Sequence, residues 1–220
     1  MCGRYTITVD PGELAQRFNA TLPPDPLQPR YNAAPSQNLP VLLNEGDRQI
    51  QMLKWGLIPH WAKNASDYNL INARAETIEE KPSFRDALQK RRCLVLTDGF
   101  YEWRKTPDGK TPMRITLKSG EPFAFAGLWE TWKDPDGNPL RTFTIITTTP
   151  NDLMATIHNR MPVILSRADE NMWIDNMPGV GAWRSLMRPY PADLMTAYPV
   201  SAKVNSPAND TPAVMAPLPN

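Results

Sequence analysis

The chain is poor in the residues that staple or ligate. Its 220 residues include only 2 cysteines, Cys2 and Cys93, and 2 histidines, His60 and His158. Two cysteines make no disulfide framework. So few sulfur and imidazole ligands, far apart in the chain, exclude a closely spaced zinc site, so no metal and no cofactor is expected. Long apolar runs are missing as well. The longest, residues 123–129, falls far short of the roughly 18 residues a membrane span needs, so no membrane partner is expected. The opening MCGRYTITVD has no apolar signal core, and a reducing cytoplasm is the expected location. Net charge is nearly absent at +1. Any grip on a polyanion must therefore come from a local patch and not from bulk charge.

Proline is the residue in excess. The 24 prolines are roughly twice the usual share of about 5% and exclude long helical bundles. Short runs rich in β-branched and aromatic residues predict strands over 5–9, 41–43, 50–54, 93–97, 113–117, 123–128, 142–148, 162–165 and 198–204. Helix starts are marked by capping patterns. Asp10-Pro11-Gly12-Glu13 opens one helix, Thr149-Pro150-Asn151-Asp152 a second over 150–157, and Ser166 with Asp169 and Glu170 a third. A fourth is expected over 83–90. The turn residues Pro107-Asp108-Gly109 and Pro135-Asp136-Gly137-Asn138 predict hairpins. Strands without regular helical alternation predict an α+β fold, a single compact domain with a mostly antiparallel, barrel-like core and a few short helices. Residues 1–206 form that domain. The prolines from Pro189 onward make the end wrap the surface or fray, and 207–220 read as a proline-rich tail.

Cys2 is the residue that asks for chemistry. If Met1 is trimmed, Cys2 carries a free α-amine and a thiol on adjacent carbons, both partly nucleophilic near neutral pH. Amine and thiol together can convert an aldehyde to an imine and close it to a five-membered thiazolidine. Alternatively the thiol attacks an acyl carbon with the amine as base. An incidental terminal cysteine explains the position equally well. Glu102, in Asp98-Gly99-Phe100-Tyr101-Glu102-Trp103, is flanked by aromatics that would desolvate it and raise its pKa, as suits a general acid. An outward-facing strand glutamate is the plain alternative. His158 ends the expected 150–157 helix, where the imidazolium is favoured. Asn72 and Arg74 interrupt an apolar run and so require partners. His60 reads as loop, and Cys93 as a buried small hydrophobe. Lys81, Arg85, Lys90, Arg91, Arg92, Arg104 and Lys105 interleave with Trp55, Trp61, Tyr101 and Trp103, the composition of a single-strand groove with stacking platforms.

Six blocks in order resemble the SOS response-associated peptidase (SRAP) family. They are Met1-Cys2-Gly3-Arg4-Tyr5, Arg30-Tyr31-Asn32-Ala33-Ala34-Pro35, Trp55-Gly56-Leu57-Ile58-Pro59, Ile71-Asn72-Ala73-Arg74-Ala75-Glu76-Thr77, Asp98 to Trp103, and Ile157-His158-Asn159-Arg160-Met161-Pro162. The resemblance implies a monomer that binds single-stranded DNA at abasic sites, cytoplasmic and nucleoid-associated when on DNA. It implies Cys2 as the nucleophile that traps the ring-opened sugar as a reversible thiazolidine, Glu102 as acid–base, His158 as proton carrier and Asn72 as orienting group. Arg4, Arg74 and Lys81 would hold phosphates, and Pro35, Trp61 and Trp103 would line the strand. Met1 would leave by trimming or by autoproteolysis. Two other classes compete: an N-terminal-nucleophile thiol hydrolase, because glutamine amidotransferase domains also begin Met-Cys-Gly, and a non-covalent single-strand-binding module.

Overall fold

A computed structural model describes residues 2–107, 109–175 and 181–219. Thirteen strands run in chain order: β1 (Tyr5–Ile7), β2 (Arg30–Ala33), β3 (Asn38–Leu43), β4 (Ile50–Trp55), β5 (Asn72–Arg74), β6 (Arg92–Thr97), β7 (Gly99–Thr106), β8 (Gly109–Leu117), β9 (Phe123–Lys133), β10 (Pro139–Thr148), β11 (Met161–Pro162), β12 (Ile164–Leu165) and β13 (Met195–Pro199). Among the described residues the α-helices are α1 (Pro11–Phe18), α2 (Arg85–Lys90), α3 (Asp152–Ala155) and α4 (Arg167–Ile174). One sheet has the order β13-β8-β7-β1-β2. In the other, β10, β4, β3, β6 and β9 follow one another and β9 returns to pair with β10, so these strands close into a ring. Pairing is antiparallel except where β4 and β5 lie parallel to β10. The architecture is the expected α+β domain with a barrel-like core.

The two sheets meet over an aromatic centre. Tyr5 lies 5.2 Å from Trp55 and 6.0 Å from Phe125, centroid to centroid, and Trp55 stacks on Phe143 at 6.2 Å. The Trp55 indole N–H donates to the Ile71 carbonyl at 2.9 Å, so the one polar atom of that ring is satisfied inside the core. Gly56, which follows, has φ +124°, and a Cβ there would stand 1.9 Å from Asn69 Oδ1. Only glycine lets the chain leave β4 at this point.

Local rules account for the helices. Asp10 caps α1, accepting from the Gly12 and Glu13 amides at 2.8 and 3.2 Å, and Ser166 caps α4 through the Asp169 amide at 3.2 Å. Arg17 of α1 grips Glu170 of α4 with two bonds of 2.9 and 2.7 Å, a bidentate pair with both side chains mostly buried. The helix expected over 150–157 is shorter. Asn151, not Thr149, caps it through the Met154 amide at 2.8 Å, and only Asp152–Ala155 is α-helical. The strand expected over 198–204 lies instead at Met195–Pro199, paired with β8, and the following Ala202–Asn205 is a 3₁₀ turn. Strands β2 and β5 were not foreseen, and β7 was expected only as the arm leading into the Pro107-Asp108-Gly109 turn. The hairpin joining β7 to β8 is present, although Asp108 of its turn lies outside the described residues, as does Met1.

The C-terminal stretch wraps the domain and is pinned to it. Asp210 accepts from the Tyr31 and Asn32 amides at 2.6 and 2.8 Å and pairs with Arg30 at 2.7 Å. Asn32 in turn donates to the carbonyls of Val204, Ser206 and Asn209 at 2.9–3.1 Å. Val200, Val204 and Val214 bury themselves against Tyr101. No helix among the described residues is long and apolar enough to cross a membrane.

Candidate active site

Four of the predicted residues converge from four separate pieces of chain. Cys2 is carried just ahead of β1, which Asp98 fixes: the Thr8 amide and hydroxyl both donate to its carboxylate at 2.6 Å, and the Thr6 hydroxyl donates to it as well. Glu102 lies on β7 opposite Met113, on the strand whose Tyr101 amide donates to the Arg4 carbonyl at 3.0 Å. β10 brings the other two. Its Ile145 and Thr147 register with Asn72 and Arg74 of β5, and Thr147 and Thr148 register with Pro162 and Met161 of β11, the strand that follows His158. The segments holding Asn72 and His158 are thus both fastened to one end of β10.

Polar contacts give the cluster its chemistry. Asn72 Nδ2 donates to the Cys2 carbonyl at 2.8 Å. That bond fixes which way the amide faces, and its Oδ1 is left buried with no hydrogen-bond partner among the described residues. Burial pushes the Cys2 thiol well above its ordinary range, and the negative charge of Glu102 adds to the shift; the Arg4 backbone N–H pulls the other way. Glu102 is 2% exposed. Burial raises its carboxyl above the usual glutamate range, and the charge of His158 opposes that rise. His158 Nδ1 lies 3.1 Å from the Arg160 amide, which donates to it, and 3.3 Å from the Arg160 carbonyl. The ring can therefore accept as neutral imidazole or donate as imidazolium without changing place.

A groove of about 690 Å³ opens onto Glu102 and His158. One wall is the β7–β8 hairpin, with Trp103, Lys105 and Lys110; the other is Pro150 and the end of α3 from Ala155 to Asn159. Among the described residues no group of three His, Cys, Asp or Glu could hold a metal ion.

The predicted strand-binding residues are more scattered. Trp103 lines the groove and donates from its indole to Asn205 Oδ1 at 2.7 Å. Arg74 is exposed beside Asn72. Trp61, 46% exposed, meets Tyr68 edge-on at 5.5 Å. Pro35 sits half-buried in the turn after β2, and Lys81 is exposed ahead of α2; neither these two nor Trp61 lines the groove. Arg4 is largely committed inside the protein, donating to Asn32 Oδ1 and the Val204 carbonyl at 2.8 Å and to the Asn205 carbonyl at 3.1 Å. The basic run between 81 and 105 also loses members. Arg92 is buried and gives its guanidinium to the carbonyls of Leu88, Gln89, Trp173 and Asp175, while Arg91 pairs with buried Glu130 at 2.8 Å. A guanidinium with five donors suits such carbonyl clusters, so counting charge along the chain overstated the free basic surface.

One element of the site was missed. Arg160 donates to both Glu76 carboxylate oxygens and to the Thr147 carbonyl at 2.7 Å, while its own amide meets His158. Glu76 and Arg160 stand in the two blocks that hold Asn72 and His158. Their opposite charges were the available signal, but only the fold shows that they meet.

A family model described as "SOS response associated peptidase (SRAP)" matches residues 1–207. The chain is 49% identical over 221 residues to "Abasic site processing protein YoqW" of Bacillus subtilis (strain 168), covering 98% of this chain and 99% of that one. It is 34% identical over 235 residues to "Abasic site processing protein HMCES" of Rattus norvegicus, covering 88% of this chain and 66% of the relative. A crystal structure of a protein from Bacteroides thetaiotaomicron superposes with a TM-score of 0.91 at 29% identity, over 99% of this chain and 100% of that one.

Proposed function

The chain belongs to the SOS response-associated peptidase family, and on that footing we propose that it processes abasic sites in single-stranded DNA by covalent capture through Cys2. Loss of Met1 leaves Cys2 as the first residue. Its amine attacks the aldehyde of the ring-opened deoxyribose and one water leaves, forming an imine. The thiol then adds across the C=N bond, its sulfur joining carbon and its proton passing to nitrogen, which closes a thiazolidine. No electron is gained or lost, so the steps reverse by hydrolysis.

The observation that carries this reading is the company of Cys2. Its carbonyl is held by Asn72, and its thiol shares a buried electrostatic environment with Glu102. A carboxyl whose burial favours the protonated form is suited to opening the furanose ring and to protonating the leaving hydroxyl of the carbinolamine. The buried Asn72 Oδ1 is an acceptor for the Cys2 amine or for a sugar hydroxyl. His158, with both proton states accommodated by Arg160, is suited to moving the proton between sulfur and nitrogen.

The polar company of Cys2 favours this chemistry over the thiol-hydrolase alternative. An N-terminal-nucleophile hydrolase needs only the amine as base, and Glu102 and His158 would have no evident part in it. In the thiazolidine sequence both have a proton to move.

Intact mass tests the proposal. Protein mixed with single-stranded DNA bearing one abasic site should give a heat- and detergent-stable species at the summed mass minus one water, from protein lacking Met1. A residue added before Cys2 keeps the thiol but moves the amine, and should abolish that species. Equal crosslinking by the extended protein would overturn the thiazolidine mechanism.

A further inference from the structure

We propose that Lys105 and Lys110, facing each other across the β7–β8 hairpin, form a phosphate-binding pair that holds the DNA strand flanking the lesion. The inference rests on the reading that the groove takes single-stranded DNA.

Three observations carry it. The first is register: Lys105 and Lys110 are direct cross-strand partners. Like charges placed directly opposite destabilise a strand pair, so sheet stability does not account for this choice. The second is that no described acidic side chain pairs with them, and both are exposed. The third is position. Both line the groove that ends on Glu102 and His158, and Glu102, the only described acid in its lining, is buried. Lys105 lies three steps along the strand from Glu102, about 10 Å at the usual rise. The lysines therefore stand beside the path of the backbone and not at the reacting carbon. A polyanion entering the groove relieves their repulsion and gains two ammonium contacts. Trp103, on the same hairpin and in the same groove, offers a ring face for an adjacent base.

Arg4, assigned to phosphate by resemblance, and Arg92, counted in the basic run, make the contrast sharper. Arg4 and Arg92 spend their donors on protein carbonyls, whereas this pair leaves its donors to solvent. Lys110 lay outside the basic run noticed along the chain, because the hairpin alone brings it to Lys105.

The test uses the full chain and a single-stranded oligonucleotide with a tetrahydrofuran abasic analogue, which has no aldehyde and reports binding alone. Dissociation constants are measured by fluorescence anisotropy from 50 to 200 mM salt. Removing two phosphate contacts at about 0.7 each should make the log K against log salt slope of Lys105→Ala/Lys110→Ala shallower by about 1.4, a roughly 7-fold smaller loss of affinity across that range. Lys118→Ala, at the far end of β8, should keep the parent slope. Lys105→Glu should retain or raise the melting temperature, since it turns a repulsive pair into an attractive one, and still flatten the slope. Parent-like slopes in both Lys105 variants would overturn the assignment. Crosslinking of the parent to a natural abasic site separates the two ideas. If the parent crosslinks and the slopes do not move, the lysine pair alone is wrong. If the parent neither binds nor crosslinks, both fall.

Discussion

Cys2 and Cys93 are chemically the same residue in two different surroundings. Both are fully buried, and burial drives both thiols upward. No side-chain charge acts on the Cys93 thiol. It lies on β6 opposite Gly127 of β9, where a Cβ on Gly127 would stand 2.8 Å from its sulfur, and desolvation alone shifts it. Around Cys2 stand a carboxyl, an amide and a backbone N–H, with an imidazole acting on the carboxyl. Burial of the sulfur is common to both, and the carboxyl and amide beside Cys2 are what set it apart. Hydrophobic burial of Cys93 is stabilising. Desolvating Cys2 together with Glu102 is a cost that the fold carries at its site.

The largest expected effect separates the two sulfurs outright. Cys2→Ala should lose the durable crosslink entirely, leaving at most an imine trapped by borohydride, while Cys93→Ala crosslinks like the parent. Mass spectrometry after heating in detergent reads both. Durable product from Cys2→Ala would erase the distinction drawn from their surroundings.

Next in size is Glu102→Gln, which keeps the shape and removes the acid. Loss of a general acid is worth about 10²–10⁴-fold in rate, so early time points should show the greatest deficit. Stability should move the opposite way. A carboxyl whose folded pKa is raised binds its proton more tightly in the folded state. Its ionisation in the unfolded chain therefore costs stability as pH rises above the usual glutamate range, near 4.3. Glu102→Gln should consequently melt higher than the parent at pH 7, and the gap should close as pH falls below about 4. A variant slow in reaction yet less stable at pH 7 would make Glu102 a structural carboxyl.

How much of this was legible depends on whether the signal was local. Asp10, Ser166 and the runs of β-branched and aromatic residues act on their immediate neighbours, and most of those elements stand where expected. Thr149 and Asn151 both offered a cap for one helix start, and the fold uses Asn151. The aromatic neighbours of Glu102 correctly foretold desolvation. Arg4 and Arg92 read as free cations although each meets carbonyls distant in sequence, at Val204 and Trp173, and Arg92 also meets those of Leu88 and Gln89 just before it. Likewise β5 has too few residues to announce itself. It exists because β10 offers an open edge.

A smaller effect is expected from the brace behind His158. Arg160 holds Glu76 and Thr147 while its amide fixes the imidazole. The Arg160 guanidinium beside Glu76 holds that carboxyl below its ordinary range, so the brace stands throughout neutral pH and loosens only as pH drops through the acid range. Glu76→Gln weakens the grip without touching the reacting atoms, and misplacement of a proton carrier should slow crosslinking about 10-fold, approaching 10²-fold if the ring swings by an ångström. The pH dependence of the rate should shift with it, which a merely structural contact would not cause. An unchanged pH profile would remove Arg160 from the account of His158.

The smallest effect lies back at Cys93 and concerns packing alone. Cys93→Ala deletes one sulfur from a filled core, and loss of a group that size should cost about 1 kcal/mol, or about 2–4 °C in melting temperature for a chain of this length. Gly127→Ala should cost more, because its Cβ would meet Cys93 Sγ and Val95 Cγ2 at 2.8 Å and the Thr144 carbonyl at 3.0 Å. Combined, the two changes should not add. The alanine at 93 clears one of three close contacts, so Gly127→Ala should be less damaging in that background, with a coupling of about 0.5–3 kcal/mol. Crosslinking at a temperature where both proteins are folded should stay at the parent rate. Strict additivity would mean that the strands move apart around the new methyl group, and the tight crossing of β6 and β9 would then not be what fixes Cys93.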